Sequence, residues 1–142
     1  MPLITWDDSV ALNISEIDNQ HKQLVNIINE MFDAMKDARG TQVIDDILKR
    51  LVDYTDYHFG TEERYFGQFR YLESEHHKEE HRYLVEQVNE FKKAFDEGKI
   101  KRDGSDSVLT VDLWKLLKYW LINHIKISDK KYASLFKEKG VK

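Results

Sequence analysis

The chain contains no cysteine among its 142 residues. That excludes disulfides, thiolate metal sites, iron–sulfur clusters and a cysteine nucleophile. One proline and six glycines are too little turn chemistry for a many-stranded sheet protein and suit long helices. No apolar run approaches the roughly 20 residues needed to cross a bilayer. The amino terminus, Met1-Pro2-Leu3-Ile4-Thr5-Trp6-Asp7-Asp8, lacks the positive region and apolar stretch of a secretory signal. The net charge of −4 is spread along the chain, with no basic stripe for nucleic acid. The expectation is a cytoplasmic monomer with neither a nucleic-acid nor a membrane partner.

What is present is a balance of 41% hydrophobic and 34% charged residues, the composition of amphipathic elements around one core. The length suits a single domain, residues 1–142, able to bury roughly 68–70% of its unfolded surface. Four segments carry helical periodicity. The first stripe is Ile17, His21, Leu24, Ile28, Met31 and Met35, ending near Gly40. Thr41 is placed to cap the second, whose stripe runs Ile44, Ile47, Leu48, Leu51, Tyr54, His58, Glu62 and Tyr65, with Gly67 in the following break. The third reads His77, His81, Leu84, Val88, Phe91 and Phe95. After a charged loop from Lys99 to Ser107, the fourth reads Leu113, Leu117, Trp120 and His124, then Asp129, Tyr132 and Phe136. Short links make neighbours antiparallel, so the pattern predicts an all-α, up-down-up-down four-helix bundle over residues 17–142, with residues 1–16 as an N-terminal arm.

The chemistry sits on the apolar stripes. His58 and Glu62 are four residues apart, as are His77 and His81, so each pair leaves one helix face one turn apart. His21 adds a donor from the first helix, and His124 with Asp129 adds two from the fourth. Singly, each has a plainer explanation: a hydrogen-bonded core histidine, or a solvated i,i+4 pair. Together they do not, because burying five imidazoles and two carboxylates without partners costs several kcal/mol each. Seven donors exceed one tetrahedral zinc, and imidazole disfavours calcium and magnesium. Two bridging carboxylates and five imidazoles divide naturally between two first-row ions, iron before manganese.

His124 and Asp129 break the pattern. Five residues in an ideal helix is about 500°, or 140° off a shared face. The apolar phase slips by the same single residue, which predicts a π-type bulge between residues 124 and 129.

Four segments together resemble the hemerythrin family, and within it the single-domain bacteriohemerythrins: Ile17-Asp18-Asn19-Gln20-His21-Lys22-Gln23-Leu24, His58-Phe59-Gly60-Thr61-Glu62-Glu63, His77-Lys78-Glu79-Glu80-His81, and Trp120 through Asp129. Trp6-Asp7 fits the arm that precedes the first helix. The chain departs from the family where Asn13 or a neighbour stands for a glycine, and where Phe69-Arg70-Tyr71-Leu72-Glu73 stands for Gly-Tyr-Pro. Myohemerythrin is itself a standard example of the up-down-up-down bundle.

The resemblance implies that His77, His81 and His124 bind one iron and His21 and His58 the other. Glu62 and Asp129, with an oxo or hydroxo group, would bridge them. The second iron would keep an open position where dioxygen binds as a hydroperoxide, for carriage, storage or delivery, with no catalytic residue and with an oxygen-consuming protein as a partner. Reversible binding needs a dry pocket, and Leu24, Val25, Phe59, Leu121 and Ile122 are the expected walls. The alternative is a di-iron enzyme, of peroxidase or nitric oxide-handling type, or an oxygen sensor at the same site. His76, beside a donor but on another face, is expected in solvent.

Overall fold

The computed structural model describes residues 2–99 and 108–142, and these form a four-helix bundle of up-down-up-down topology, without strands among the described residues. The helices are Ser15–Lys36, Thr41–Phe69, Ser74–Asp96 and a fourth over 108–138. Apart from Lys99, the charged loop expected between the last two lies outside the described residues.

Each helix buries one stripe, which is what its spacing dictates. Leu24, Ile28 and Met31 meet Ile44, Leu48 and Leu51, then Leu84, Val88, Phe91 and Phe95, then Leu113, Leu117 and Leu121, in one large apolar cluster. A smaller cluster of Leu12, Ile14, Ile17, Phe66, Tyr132 and Phe136 closes the other end. Each fully buried side chain of this kind contributes about 1.5–3 kcal/mol relative to exposure. In the first helix His21 falls between Ile17 of the smaller cluster and Leu24 of the larger, and in the second and fourth Glu62 and Asp129 fall between Phe59 and Phe66 and between Ile125 and Tyr132. A polar layer thus lies between two apolar clusters.

The arm is tied down by specific bonds. Asn29 bridges the Ile4 backbone, accepting from its N–H at 2.9 Å and donating to its carbonyl at 2.8 Å. Asp18, in the first turn of the first helix, accepts from the backbone N–H groups of Leu12 and Asn13 at 2.8 and 3.0 Å. A short 3-10 turn, Asp8–Val10, lies between these anchors.

Two local expectations need correction. Gly40, not Thr41, is the N-cap of the second helix, and its φ of 102° explains why a glycine stands there. Gly67 lies inside the second helix, which continues to Phe69 and ends on Arg70 in the left-handed region, φ 55°. The fourth helix bears out its expectation and adds to it. The expected π segment is present as Ile125–Asp129, but a second one, Leu116–Trp120, precedes it by one short α turn. Where the chain departs from the family's glycine, Asn13 itself adopts φ 62°, a conformation that glycine takes without strain and asparagine tolerates.

Candidate metal centre

All seven predicted donors meet in the polar layer, and all are buried. They fall into two groups with donor atoms within 4.8 Å of one another: His77, His81, His124 and Asp129, and His21, His58, Glu62 and Asp129. Asp129 belongs to both. One of its oxygens lies 3.0 Å from His21 Nε2, while the other lies 3.0 Å from His77 Nε2 and 3.1 Å from His124 Nε2. Glu62 Oε1 lies between the groups, 3.1 Å from His58 Nε2 and 3.4 Å from His81 Nε2.

The helix period explains the convergence. His58–Glu62 and His77–His81 each span one α turn, so both side chains face inward. In the fourth helix the π segment closes its turn one residue later, and Asp129 returns to the face of His124.

The layer tests whether this donor set fits a metal pair. The Nε2 atoms of His21, His77, His81 and His124, and both oxygens of Glu62 and of Asp129, are buried with no hydrogen-bond partner in satisfactory geometry. Orphaned groups in such number cost far more than a native core tolerates. Their separations match another role. Two donors about 2.1 Å from one ion and at right angles stand about 3.0 Å apart. The residues therefore fit a pair of first-row ions.

A second layer orients the rings. His58 donates from Nδ1 to Gln20 Oε1 at 2.8 Å, and Gln20 Nε2 donates in turn to Thr61 Oγ1 at 3.4 Å. His81 donates from Nδ1 to Glu63 Oε2 at 2.8 Å. Glu80 lies 3.5 Å from His124 Nδ1 and accepts from the Ser128 hydroxyl at 3.0 Å. With its proton held on Nδ1, an imidazole presents the Nε2 lone pair inward, as a metal ligand must. Phe59 stacks flat on His81, rings 3.7 Å apart, and Trp120 lies parallel to His124 at 5.3 Å.

These contacts decide the protonation of the metal-free layer. Burial opposes charge on every group. At His81, Glu62 and Glu63 override it and push the imidazole up to about 9. At His124, Asp129 overrides it and the imidazole is also raised. At His58 burial wins and the imidazole is lowered. Burial and the charge of Asp129 push Glu62 up, yet His58 and His81 hold it below its ordinary value. Asp129 is likewise held well below, against burial, by His124, His21 and His77. Burial, with the charges of Asp129 and Glu62, pushes the Tyr132 phenol far up, and its hydroxyl faces Glu62 without a hydrogen bond of satisfactory geometry.

Leu24, Val25, Phe59 and Leu121 are buried, whereas Ile122 is half-buried and faces a groove beside the N-terminal arm. His76 is exposed. Reading the sequence alone missed the roles of Gln20, Glu63 and Glu80. The available signal was adjacency: each sits one residue from a donor, on the flank of the same helix. No described helix is long and apolar enough to cross a membrane.

Known proteins are similar to this chain in sequence and in fold. The family model for the hemerythrin HHE cation binding domain matches residues 12–136. A bacteriohemerythrin of Pseudomonas aeruginosa is 34% identical over 133 residues, which cover 94% of this chain and 81% of that protein. One from Clostridium acetobutylicum is 29% identical over 92% of this chain and 98% of its own length. A crystal structure of wild-type hemerythrin superposes with a TM-score of 0.80 at 28% identity, covering 93% of this chain and 96% of that one. Motif, fold and donor layer agree: the chain belongs to the hemerythrin family.

Proposed function

We propose that this protein binds dioxygen reversibly at two iron ions, as a carrier or store and not as an enzyme. The observation that carries the reading is the uneven division of the buried imidazoles, three against two, around two buried carboxylates. His77, His81 and His124 would hold one ion, His21 and His58 the other, and Glu62 and Asp129 would bridge. With both carboxylates bridging, the side with two imidazoles would have one protein donor fewer, which would leave room for a small ligand. When bound, the iron pair supplies the electrons that hold dioxygen.

The protein's own contribution is orientation and dryness. Gln20 and Glu63 fix two of the rings. The two apolar clusters pack on either side of the layer and limit the entry of water, a dryness that reversible binding requires of the pocket. Leu24, Val25, Phe59 and Leu121 are the walls this reading assigns to the pocket. The preponderance of imidazole over carboxylate also disfavours the high-valent iron that oxidases use.

The test is anaerobic mixing of the reduced, iron-loaded protein with oxygen in a stopped-flow instrument. A carrier yields a lasting charge-transfer absorption that vacuum abolishes and oxygen restores. Rapid one-way oxidation would assign the site to a di-iron enzyme instead. Leu121→Ala should speed decay of the oxygenated form several-fold, and unchanged decay would remove Leu121 from the pocket wall.

A further inference from the structure

One groove of the described structure opens away from the bridging carboxylates of the polar layer. It opens between the third and fourth helices with a volume of about 470 Å³, and its walls include Tyr83, Phe91, Leu116, Tyr119 and Trp120. Three independent features meet there. The size lies within the usual range of small-molecule sites, about 300–1,000 Å³. Leu116, Tyr119 and Trp120 all belong to the unanticipated π segment, and such segments are frequent at functional sites. Finally, the groove has a direct aromatic path inward: Tyr83, 46% exposed, lies 5.4 Å from the Trp120 ring, which is nearly parallel to the imidazole of His124 at 5.3 Å.

Trp120 therefore touches both the outside groove and a donor of the polar layer. Trp120 is half-buried, one side packed against the core and the other in the wall of the groove. We propose that the groove is an electron-entry site, which takes a neutral planar aromatic reductant of the dihydroflavin class and passes its electrons through Trp120 to the centre. The aromatic walls suit a flat ring, with Gln87 available to hydrogen-bond its polar edge. Charge selects the neutral form: among the described residues that line the groove, Glu90 and Asp112 face one lysine, Lys115, so a phosphate-bearing ring is disfavoured.

The inference rests on reading the polar layer as a di-iron centre, for which re-reduction of oxidised iron is a necessity. The balance is simple. One dihydroflavin loses two electrons and two protons, two ferric ions become ferrous, the ring departs oxidised, and the protons pass to solvent at the groove mouth.

Two measurements test it. In iron-free protein carrying Trp6→Phe and Trp114→Phe, Trp120 is the sole tryptophan. Oxidised riboflavin should quench its emission along a saturable curve, riboflavin 5′-phosphate should bind at least fivefold more weakly, and Gln87→Phe should abolish saturation by filling the groove. In iron-loaded, oxidised protein without air, Trp120→Leu should slow reduction by dihydroriboflavin at least tenfold and reduction by dithionite less than threefold. Unsaturable quenching, or equal slowing with both reductants, overturns the proposal. Failure to load iron would instead sink the di-iron reading, while the riboflavin titration, made on iron-free protein, still decides the groove.

Discussion

The first three helices and the fourth solve one problem in different ways. In the second and third helices the donors stand four residues apart on unbroken α-helix, so sequence spacing alone aims them at a common point. In the fourth they stand five apart, and the backbone rather than the spacing brings them together through the Ile125–Asp129 π segment. A spacing is a statement about geometry only once the local helical period is known. The fourth helix is also where the structure departs furthest from regularity, with a second π segment, Leu116–Trp120, one short α turn upstream, in the wall of the aromatic groove.

The comparison can be broken most severely by removing what both halves serve. Iron-free protein should melt more than about 10 °C below the loaded form, since metal binding here is folding free energy. Scanning calorimetry with and without chelation checks it, and coincident melting would refute the claim.

Deletions come next, because they separate the two kinds of helix. Removing Glu79, between His77 and His81 on regular helix, rotates one donor by about 100° and should cut the iron content measured by mass spectrometry to one per chain or fewer. Removing Ile127, which is 60% exposed within the π segment, takes out the surplus residue and leaves the donors one α turn apart. That variant should keep two irons. Loss of iron in both would mean that the bulge does more than restore the phase.

A smaller effect is expected from the rings' outer partners. Gln20→Leu or Glu63→Leu should weaken iron affinity by about 10–100-fold without changing the fold, read by competition with a chelator. The pH dependence of the same layer has a definite sign. His81 in the metal-free protein is raised to about 9, so its stabilising contribution is complete below the unfolded value of about 6.5 and is lost as pH rises through 9. Glu62 and Asp129 are depressed, so theirs is present above the unfolded carboxylate range and lost on acidification. Iron must displace the proton on His81, which favours loading at high pH. The gap in melting temperature between loaded and iron-free protein should therefore widen from pH 6 to pH 9. A constant gap would contradict the protonation pattern. The smallest effect lies outside the layer: Arg70→Gly relieves a left-handed residue at a helix end and should add about 0.5–1 kcal/mol, visible as a shift in denaturant midpoint.

The helical stripes were legible because each donor shares a face with apolar neighbours, and burial follows that face in every helix. The single-residue slip between His124 and Asp129 was legible for the same reason, since the apolar phase slips with it. The Leu116–Trp120 segment was not. Leu113, Leu117 and Trp120 fit an ordinary helical repeat well enough that the sequence carries no interruption to notice, and only hydrogen bonding between backbone groups distinguishes the two. Gly67 misled in the opposite direction: a glycine without a positive φ is compatible with a helix interior at a modest cost. Gln20, Glu63 and Glu80 stayed hidden because polar residues on a helix flank look solvated until a neighbouring helix supplies the ring they hold.

Asp129 gives one oxygen to each group of imidazoles, and that division has a consequence for assembly. An ion captured by His77, His81 and His124 would fix the very carboxylate that His21 and His58 need, raising the local concentration of a ready-made partner for the next ion. Occupancy should then climb as a cooperative pair, and half-filled molecules should be scarce at every point of an iron titration.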